Sequence, residues 1–317
     1  MSLDSPPQTP AAQTSGVVFC ELPAAVARIR ARFPSLDVVD VSGGVPPGAQ
    51  GEVLFGGFGP NSVQAMTRGV QWAQLIGTGL DGVPPEVRAA PFLTSARGVA
   101  AVAISEYVIT AMGTFARDFP GNWLSQPPEK WFTQQAGLLA GATLGLFGFG
   151  GIAQRVARVA LALDMSVVAL RRQDLPSPVE GVTMTTSLPD LLSVADHLVL
   201  AAPATDDTRQ VLNAETLALV RKGIHLVNIA RGSLIDQDAL RVALDDGTVA
   251  RASLDTVTPE PLPAGHWMYD HPKVFLTPHA SWAGQVQFAA ATEYFCDNLE
   301  RFLAGEPLQG VVGPEGY

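Results

Sequence analysis

"TLGLFGFGGIAQRVARVALALDMSVVALRR", residues 143–172, reads as four pieces in succession. An apolar run of strand length comes first, then a glycine-rich turn, a segment of helical period, and a second run rich in valine. Two strands joined through a helix are parallel, and a parallel sheet is covered on both faces, so the rhythm should recur along the chain. Downstream, "HLVLAA" (197–202), "IHLVNIAR" (224–231), "RASLDTV" (251–257) and "KVFLTPH" (273–279) read as strands. The helical runs "NAETLALV" (213–220) and "DQDALRVALDDG" (236–247) lie between them. Upstream, strands are expected in "GVVFCEL" (16–22), "LDVVDVS" (36–42), "GEVLFGG" (51–57), "WAQLIGTG" (72–79) and "APFLTSA" (90–96), with a helix in "PAAVARIRARF" (23–33).

Between the two α/β stretches, "VAAVAISEYVITAMGTFARDF" (99–119) has helical spacing and carries the chain away from the first of them. The Pro- and Trp-rich "PGNWLSQPPEKWF" (120–132) reads as an extended arm. A last long helix, "GQVQFAAATEYFCDNLERFLAG" (284–305), follows the second set of strands and is expected to return to the first domain. The expected fold class is therefore α/β with two doubly wound parallel-sheet domains. Residues 16–100 plus 283–317 would form a flavodoxin-like substrate and catalytic domain, with a dinucleotide-binding Rossmann domain inserted as residues 101–282. Residues 1–15 read as a disordered tail.

Composition narrows the function classes. A chain of 317 residues, 47% hydrophobic and 16% charged, has the makings of two globular domains. Its net charge of -10 excludes nucleic acid as the main partner, because phosphate binding needs clustered Lys and Arg. No uninterrupted apolar stretch reaches the roughly 18 residues of a membrane span, and the N-terminal segment lacks both the basic start and the apolar core of a secretory signal. Cys20 and Cys296 have no metal or redox spacing, which favours a reducing, cytoplasmic setting and no metal.

The turn itself carries chemistry. Gly148-x-Gly150-x-x-Ala153 follows a strand and opens a helix, the context in which a glycine fingerprint means dinucleotide binding. Gly148 permits the tight turn, Gly150 lets backbone approach a pyrophosphate, and a small residue at 153 lets helix and strand pack closely. The segment Gly148, Phe149, Gly150, Gly151 and Ile152 would present the helix N-terminus to the phosphates. About 20 positions on, where an acidic residue would hold the ribose of NAD, stand Arg171 and Arg172. A guanidinium pairs with a 2′-phosphate that a carboxylate would repel, so NADP(H) is favoured over NAD(H). Asp174 reaching the ribose is the alternative.

Three further stretches end strands with polar residues: "VNIARGSLID" (227–236) with Arg231, "LDTVTPEPLP" (254–263) with Asp255 and then Glu260, and "LTPHASW" (276–282) with His279. Ligands of an open α/β sheet bind outside the carboxyl ends of its strands, so all of these fall on the cofactor side. Taken alone, His279 could be a core histidine, Arg231 a surface or capping residue, and Glu260 plain loop. Their order beside a nucleotide turn that comes more than a hundred residues into the chain resembles the D-isomer-specific 2-hydroxyacid dehydrogenase family, in its glyoxylate/hydroxypyruvate reductase-like branch. The likeness is strongest over residues 140–282 and weak in the first fifty.

That resemblance implies an NAD(P)-dependent oxidoreductase acting on the CH–OH group of small 2-hydroxy acids, and a homodimer. His279 would protonate the 2-oxo oxygen as hydride arrives, Glu260 would orient the imidazole, and Arg231 would bind the substrate carboxylate. Asp255 would lie beside the nicotinamide amide, Pro203, Thr208, Ile229 and Ala230 would line the cofactor cleft, and the N–H groups of Thr78 and Gly79 would take the carboxylate. Ala153 in place of the third glycine and Ala202-Pro203 in place of a leucine-proline pair depart from the family pattern. Two other readings remain at this level: a non-catalytic nucleotide sensor or co-repressor on the same fold, and a phosphoglycerate- or phosphoerythronate-type dehydrogenase.

Overall fold

A computed structural model of the chain describes residues 16–119, 121–133, 135–284 and 287–313. The tail expected at residues 1–15 lies outside the described residues. The chain divides into two compact units, one running to Val99 and resuming at Gly284, the other Ala100–Ala283.

The first unit contains β1 (Val17–Cys20), α1 (Pro23–Arg32), β2 (Asp37–Asp40), β3 (Val53–Gly56), α2 (Pro60–Met66), β4 (Trp72–Leu75), α3 (Pro85–Arg88) and β5 (Phe92–Thr94). Its strands are all parallel, in the order β2-β1-β3-β4-β5, the flavodoxin-like arrangement. Residues of β3 and β4 are buried throughout, as strands covered on both faces must be. Helices α1, α2 and α3 each begin at a proline, whose missing N–H costs nothing in a first turn.

The covering helix of this unit comes last in the chain. It is α9, after eight helices counted through the next unit, and spans Gln287–Ala304. Phe295 stacks on Phe55 with ring centroids 4.3 Å apart and on Trp72 at 5.5 Å. Its other face meets α1 through Arg28 and Arg32, which pair with Glu293, Asp297 and Glu300. Those pairs are largely exposed and add little, so the aromatic stack is what seats the helix. Below it a buried polar chain is satisfied: Trp72 Nε1 donates to Thr94 Oγ1 (2.7 Å), Thr94 Oγ1 to Gln74 Oε1 (2.8 Å), and Asn298 Nδ2 to the same Gln74 oxygen (2.9 Å).

The second unit opens on α4 (Ala101–Ala116) and continues β6 (Thr143–Phe147), α5 (Gly151–Ala162), β7 (Ser166–Leu170), β8 (Val182–Thr185), α6 (Leu188–Val194), β9 (His197–Leu200), α7 (Ala214–Leu217), β10 (Ile224–Asn228), α8 (Gln237–Asp245), β11 (Val249–Leu254) and β12 (Val274–Leu276). All of its strands are parallel, in the order β12-β11-β10-β9-β6-β7-β8. Counted from β6, this is the Rossmann order with one added edge strand, and the order of strand addition reverses between β6 and β9. One core lies under α4 and α5, around Val108, Met112 and Val156; the other lies under α6 to α8, around Leu191, Leu217 and Leu240.

Two elements of this unit were not expected from periodicity. Strand β8 is a short edge strand of half-exposed residues, too weakly patterned to stand out. Helix α6 follows it with Ser187 as N-cap, accepting the Asp190 N–H. Residues 121–132 of the expected arm have no regular secondary structure and are mostly exposed.

Candidate active site

Because the strands of the second unit are parallel, their carboxyl ends form one edge, and seven of the residues singled out by sequence hang from it. Gly148 follows β6, Arg171 follows β7, Pro203 follows β9, Arg231 follows β10, Asp255 follows β11 and His279 follows β12, with Glu260 in the loop after β11. With neighbouring strands ~4.8 Å apart, the edge from β7 to β12 spans roughly 24 Å.

The glycine turn fits a dinucleotide phosphate group. Gly148 has φ +96°, and a Cβ there would stand 2.7 Å from the backbone of Ala202, so the turn lies hard against the end of β9 at the reversal point. A Cβ at Gly150 would meet nothing within 4 Å. That residue is the N-cap of α5 and offers no side-chain cap, leaving first-turn N–H groups for an anion. Ala153 is fully buried between helix and sheet, and Phe149 is buried beside it. Gly151 is exposed and Ile152 half-buried. Arg171, half-buried, donates its backbone N–H to Thr185 O, and Arg172 next to it is exposed.

At the other end of the edge, His279 and Glu260 meet. His279 Nδ1 and Glu260 Oε2 are 2.9 Å apart, with both side chains about two-fifths exposed. Glu260 Oε1 accepts the Val257 N–H at 3.0 Å, so the carboxylate is held on both oxygens. With Nδ1 donating to a carboxylate, Nε2 is the ring nitrogen left to exchange a proton with a ligand. Gln237 of α8 braces the same loop, donating to Thr258 O (2.6 Å) and accepting the Thr258 N–H (3.0 Å).

His279 adopts φ 51°, the left-handed region that costs an L-residue of this kind about 1–3 kcal/mol unless the surroundings enforce it. They do so through Asp255, a residue 1% exposed. Its Oδ1 accepts Thr277 Oγ1 (2.5 Å) and the Ala280 N–H (2.8 Å), its Oδ2 accepts the Ser281 N–H (2.9 Å), and its carbonyl accepts the His279 N–H (3.0 Å). Trp282 Nε1 donates to His279 O (2.8 Å), closing the turn, and Tyr107 of α4 bonds Thr277 Oγ1 at 2.9 Å. The Asp255 carboxylate thus faces inward, onto the histidine turn. Sequence reading placed it beside the cofactor and missed Thr277, Gln237 and Tyr107, whose signal exists only in three dimensions.

Arg231 sits in a turn held by the fully buried Asn228. Asn228 Nδ2 donates to Arg231 O (2.8 Å) and Asn228 Oδ1 accepts the Ala230 N–H (3.1 Å), while Arg231 Nη1 donates to Ala230 O (2.6 Å). A Cβ on the next residue, Gly232, would fall 2.0 Å from the Val257 carbonyl carbon. Only glycine lets the Arg231 turn lie against the loop that carries Glu260. Sequence reading passed over Asn228, although it is the polar residue in the apolar strand end "LVNIA".

Other expected contacts are partly spoken for. Ile229 and Ala230 turn their side chains into the two cores, each 8% exposed, which leaves backbone for a ligand. Thr208 Oγ1 donates to Pro203 O (2.8 Å) and accepts the Thr205 N–H (2.8 Å), so it shapes its loop. Thr78 and Gly79 belong to the first unit, in the loop after β4, with Thr78 Oγ1 donating to Ala96 O at 3.3 Å. Among the described residues no group of three or more His, Cys, Asp or Glu could hold a metal ion, and no helix is long and apolar enough to cross a membrane.

Fold and sheet edge together define a doubly wound α/β protein built to bind a dinucleotide. Residues 109–281, more than half of the chain, match the model of the D-isomer specific 2-hydroxyacid dehydrogenase NAD binding domain. The chain belongs to the D-isomer specific 2-hydroxyacid dehydrogenase family. It is 35% identical over 194 residues to glycerate dehydrogenase of Methylorubrum extorquens, covering 61% of this chain and 59% of that one. The alignment therefore spans less than two thirds of that relative's length. Among solved structures, a protein of Thermus thermophilus superposes with a TM-score of 0.73 at 31% identity, covering 94% of this chain and all of that one. A D-isomer specific 2-hydroxyacid dehydrogenase of Xanthobacter autotrophicus, crystallised with NADPH and MES, gives 0.79 at 25% identity, covering 96% and 100%.

Proposed function

We propose that the chain is an NAD(P)-dependent oxidoreductase that interconverts small 2-oxo and 2-hydroxy acids, working as a 2-oxoacid reductase on substrates such as glyoxylate or hydroxypyruvate. The observation that carries the reading is the His279–Glu260 pair, 2.9 Å apart, on the same sheet edge as the open glycine turn. Gly148, Gly150 and the first turn of α5 would hold the dinucleotide, which would supply the hydride. His279 Nε2–H gives its proton to the 2-oxo oxygen as the carbonyl π bond opens, and Glu260 holds the ring by Nδ1 throughout. Arg231 takes the substrate carboxylate with its guanidinium and draws charge from the oxo group. On the same reading, the backbone N–H groups of Thr78 and Gly79 in the first unit would bind carboxylate. In the reverse direction the neutral Nε2 receives the hydroxyl proton.

NADP(H) is the preferred cofactor on this reading, since Arg171 and Arg172 follow β7 where a 2′-phosphate would fall. The exposed Trp123, Trp131 and Phe132 of the arm support a homodimer formed through the second unit, and the two unpaired, buried cysteines support a cytoplasmic setting.

The test is reductase turnover with glyoxylate and hydroxypyruvate, each with NADPH and NADH, beside His279→Ala. Turnover that prefers NADPH and drops about 10²–10⁴-fold in the variant supports the full reading. Cofactor binding with no turnover across a panel of 2-oxo acids would replace it with a nucleotide sensor, and light scattering that finds a monomer would remove the dimer.

A further inference from the structure

Far from this edge, at the amino ends of the same strands, two histidines are built into the sheet. His197 begins β9 and His225 is its register partner in β10; they are 3% and 0% exposed. Their Nδ1 atoms are 3.1 Å apart, and His225 Nε2 lies 2.9 Å from Ser253 Oγ on β11. Phe115 of α4 covers both rings, stacked on His225 at 4.5 Å and edge-on to His197 at 5.6 Å. Burial holds both imidazoles neutral, His197 down to about 4 and His225 well below its usual value.

Hydrogen-bond accounting fixes the tautomers. Ser253 Oγ bonds to no other group among the described residues, so its hydrogen goes to His225 Nε2. His225 must then carry its proton on Nδ1 and donate to His197 Nδ1. His197 in turn carries its proton on Nε2, which bonds to no group among the described residues. Each assignment leaves one donor over: the opposite one strands the hydroxyl of the buried Ser253, whereas this one leaves His197 Nε2–H, an atom not sealed from solvent.

His197 lines a cavity of about 360 Å³ shared with Phe115, Leu138, Asp196, Arg221 and Lys222. Asp196 is already committed: one oxygen accepts Arg221 Nη1 (2.7 Å) and the other the Thr143 N–H (2.8 Å). Lys222 adds a second cation to the lining side chains; Asp246, outside the lining, is close enough to feel its charge. We propose that this cavity binds a small oxyanion, a carboxylate or phosphoryl group, received by the His197 Nε2–H and the Lys222 ammonium with Arg221 beside them. An N–H donor preset by a buried relay and a cation in one cavity is the donor set such an anion needs. The site uses none of the residues assigned to the reaction, so it would let a charged metabolite act on the second unit without competing for its carboxyl edge.

The test uses the full chain with its five histidines labelled with 15N, read by ring NMR while inorganic phosphate, and separately acetate, is titrated at constant ionic strength with chloride. His197→Gln assigns the ring. The expected result is an Nε2–H tautomer at His197 whose signal moves saturably with either or both anions, and whose half-point rises about tenfold or more in Lys222→Ala. Saturation by phosphate alone narrows the ligand to phosphoryl compounds, and by acetate alone to carboxylates. The proposal is overturned by an Nδ1–H tautomer at His197, by signals that neither anion moves up to about 50 mM, or by a Lys222→Ala curve that overlays the wild type.

Discussion

The backbone carbonyl of Asp255 accepts the N–H of His279 at 3.0 Å, and the carboxylate of the same aspartate accepts the next two N–H groups of that turn. One buried residue at the end of β11 thereby holds a histidine at the end of β12 in a backbone conformation it would not choose. Asp255→Asn replaces an oxygen acceptor with a donor facing an N–H or a hydroxyl. The expected outcome is a loss of about 1–3 kcal/mol in urea unfolding, with a fall in kcat larger than any change in the KM for the 2-oxo acid. Unchanged kcat would mean that the turn keeps its shape without the clamp.

The proposed role of Arg171 and Arg172 in cofactor preference can be tested directly. In the double variant Arg171→Ala/Arg172→Ala the KM for NADPH is expected to rise about tenfold or more, the loss of one charge-assisted pair, with the KM for NADH little changed. An equal rise for both cofactors would assign the arginines to the shared part of the nucleotide or to the fold.

Much of this was legible in the sequence, and the division is physical. Strands β1 to β5, β6, β7 and β9 to β12 stood out as short apolar runs between turn residues; β3, β4, β9 and β10 are buried throughout, as strands covered on both faces must be. Ends were less legible: the run at 72–79 stops as a strand at Leu75, and the helix read over 213–220 is the four-residue α7. The strand-end places of His279 and Arg231 were legible from the change from apolar to polar, while their grouping with Glu260 came from the order of the three motifs beside the nucleotide turn. The inward use of Asp255 was not, because a carboxylate that braces a turn and one that faces a ligand read alike in sequence. Neither were His197 and His225 readable as a pair, since strand register alone brings them together.

Gly232 provides a steric test. Its missing Cβ would lie 2.0 Å from the Val257 carbonyl carbon, a clash with backbone that no rotamer relieves. Gly232→Ala is expected to lower stability by about 3 kcal/mol or more in urea unfolding and to displace the Arg231 turn. A variant with wild-type stability would show that the two loops have room to part.

The buried histidine pair predicts an acid limb. The folded His197 is depressed to about 4 from 6.5, so between those values the unfolded chain binds protons that the folded chain does not. Stability is therefore complete above about pH 6.5 and falls as pH drops toward 4, by about 3 kcal/mol for His197 alone. Urea midpoints at a series of pH values from 7.5 to 4.5 check this; in His197→Gln the decline above pH 5 should be shallower. A wild-type midpoint flat down to pH 5 would show that burial does not hold the ring neutral in the folded chain.

The chain order of the first unit sets a schedule on the ribosome. Phe55 and Trp72 are made early, but Phe295, which stacks on both, belongs to a helix that follows the whole second unit. At ~5–20 residues per second the nascent chain carries that aromatic face without its cover for on the order of ten seconds or more, while the inserted unit is completed and free to fold. The first unit to begin synthesis is thus the last able to finish folding, and its exposed sheet is where a chaperone would be needed.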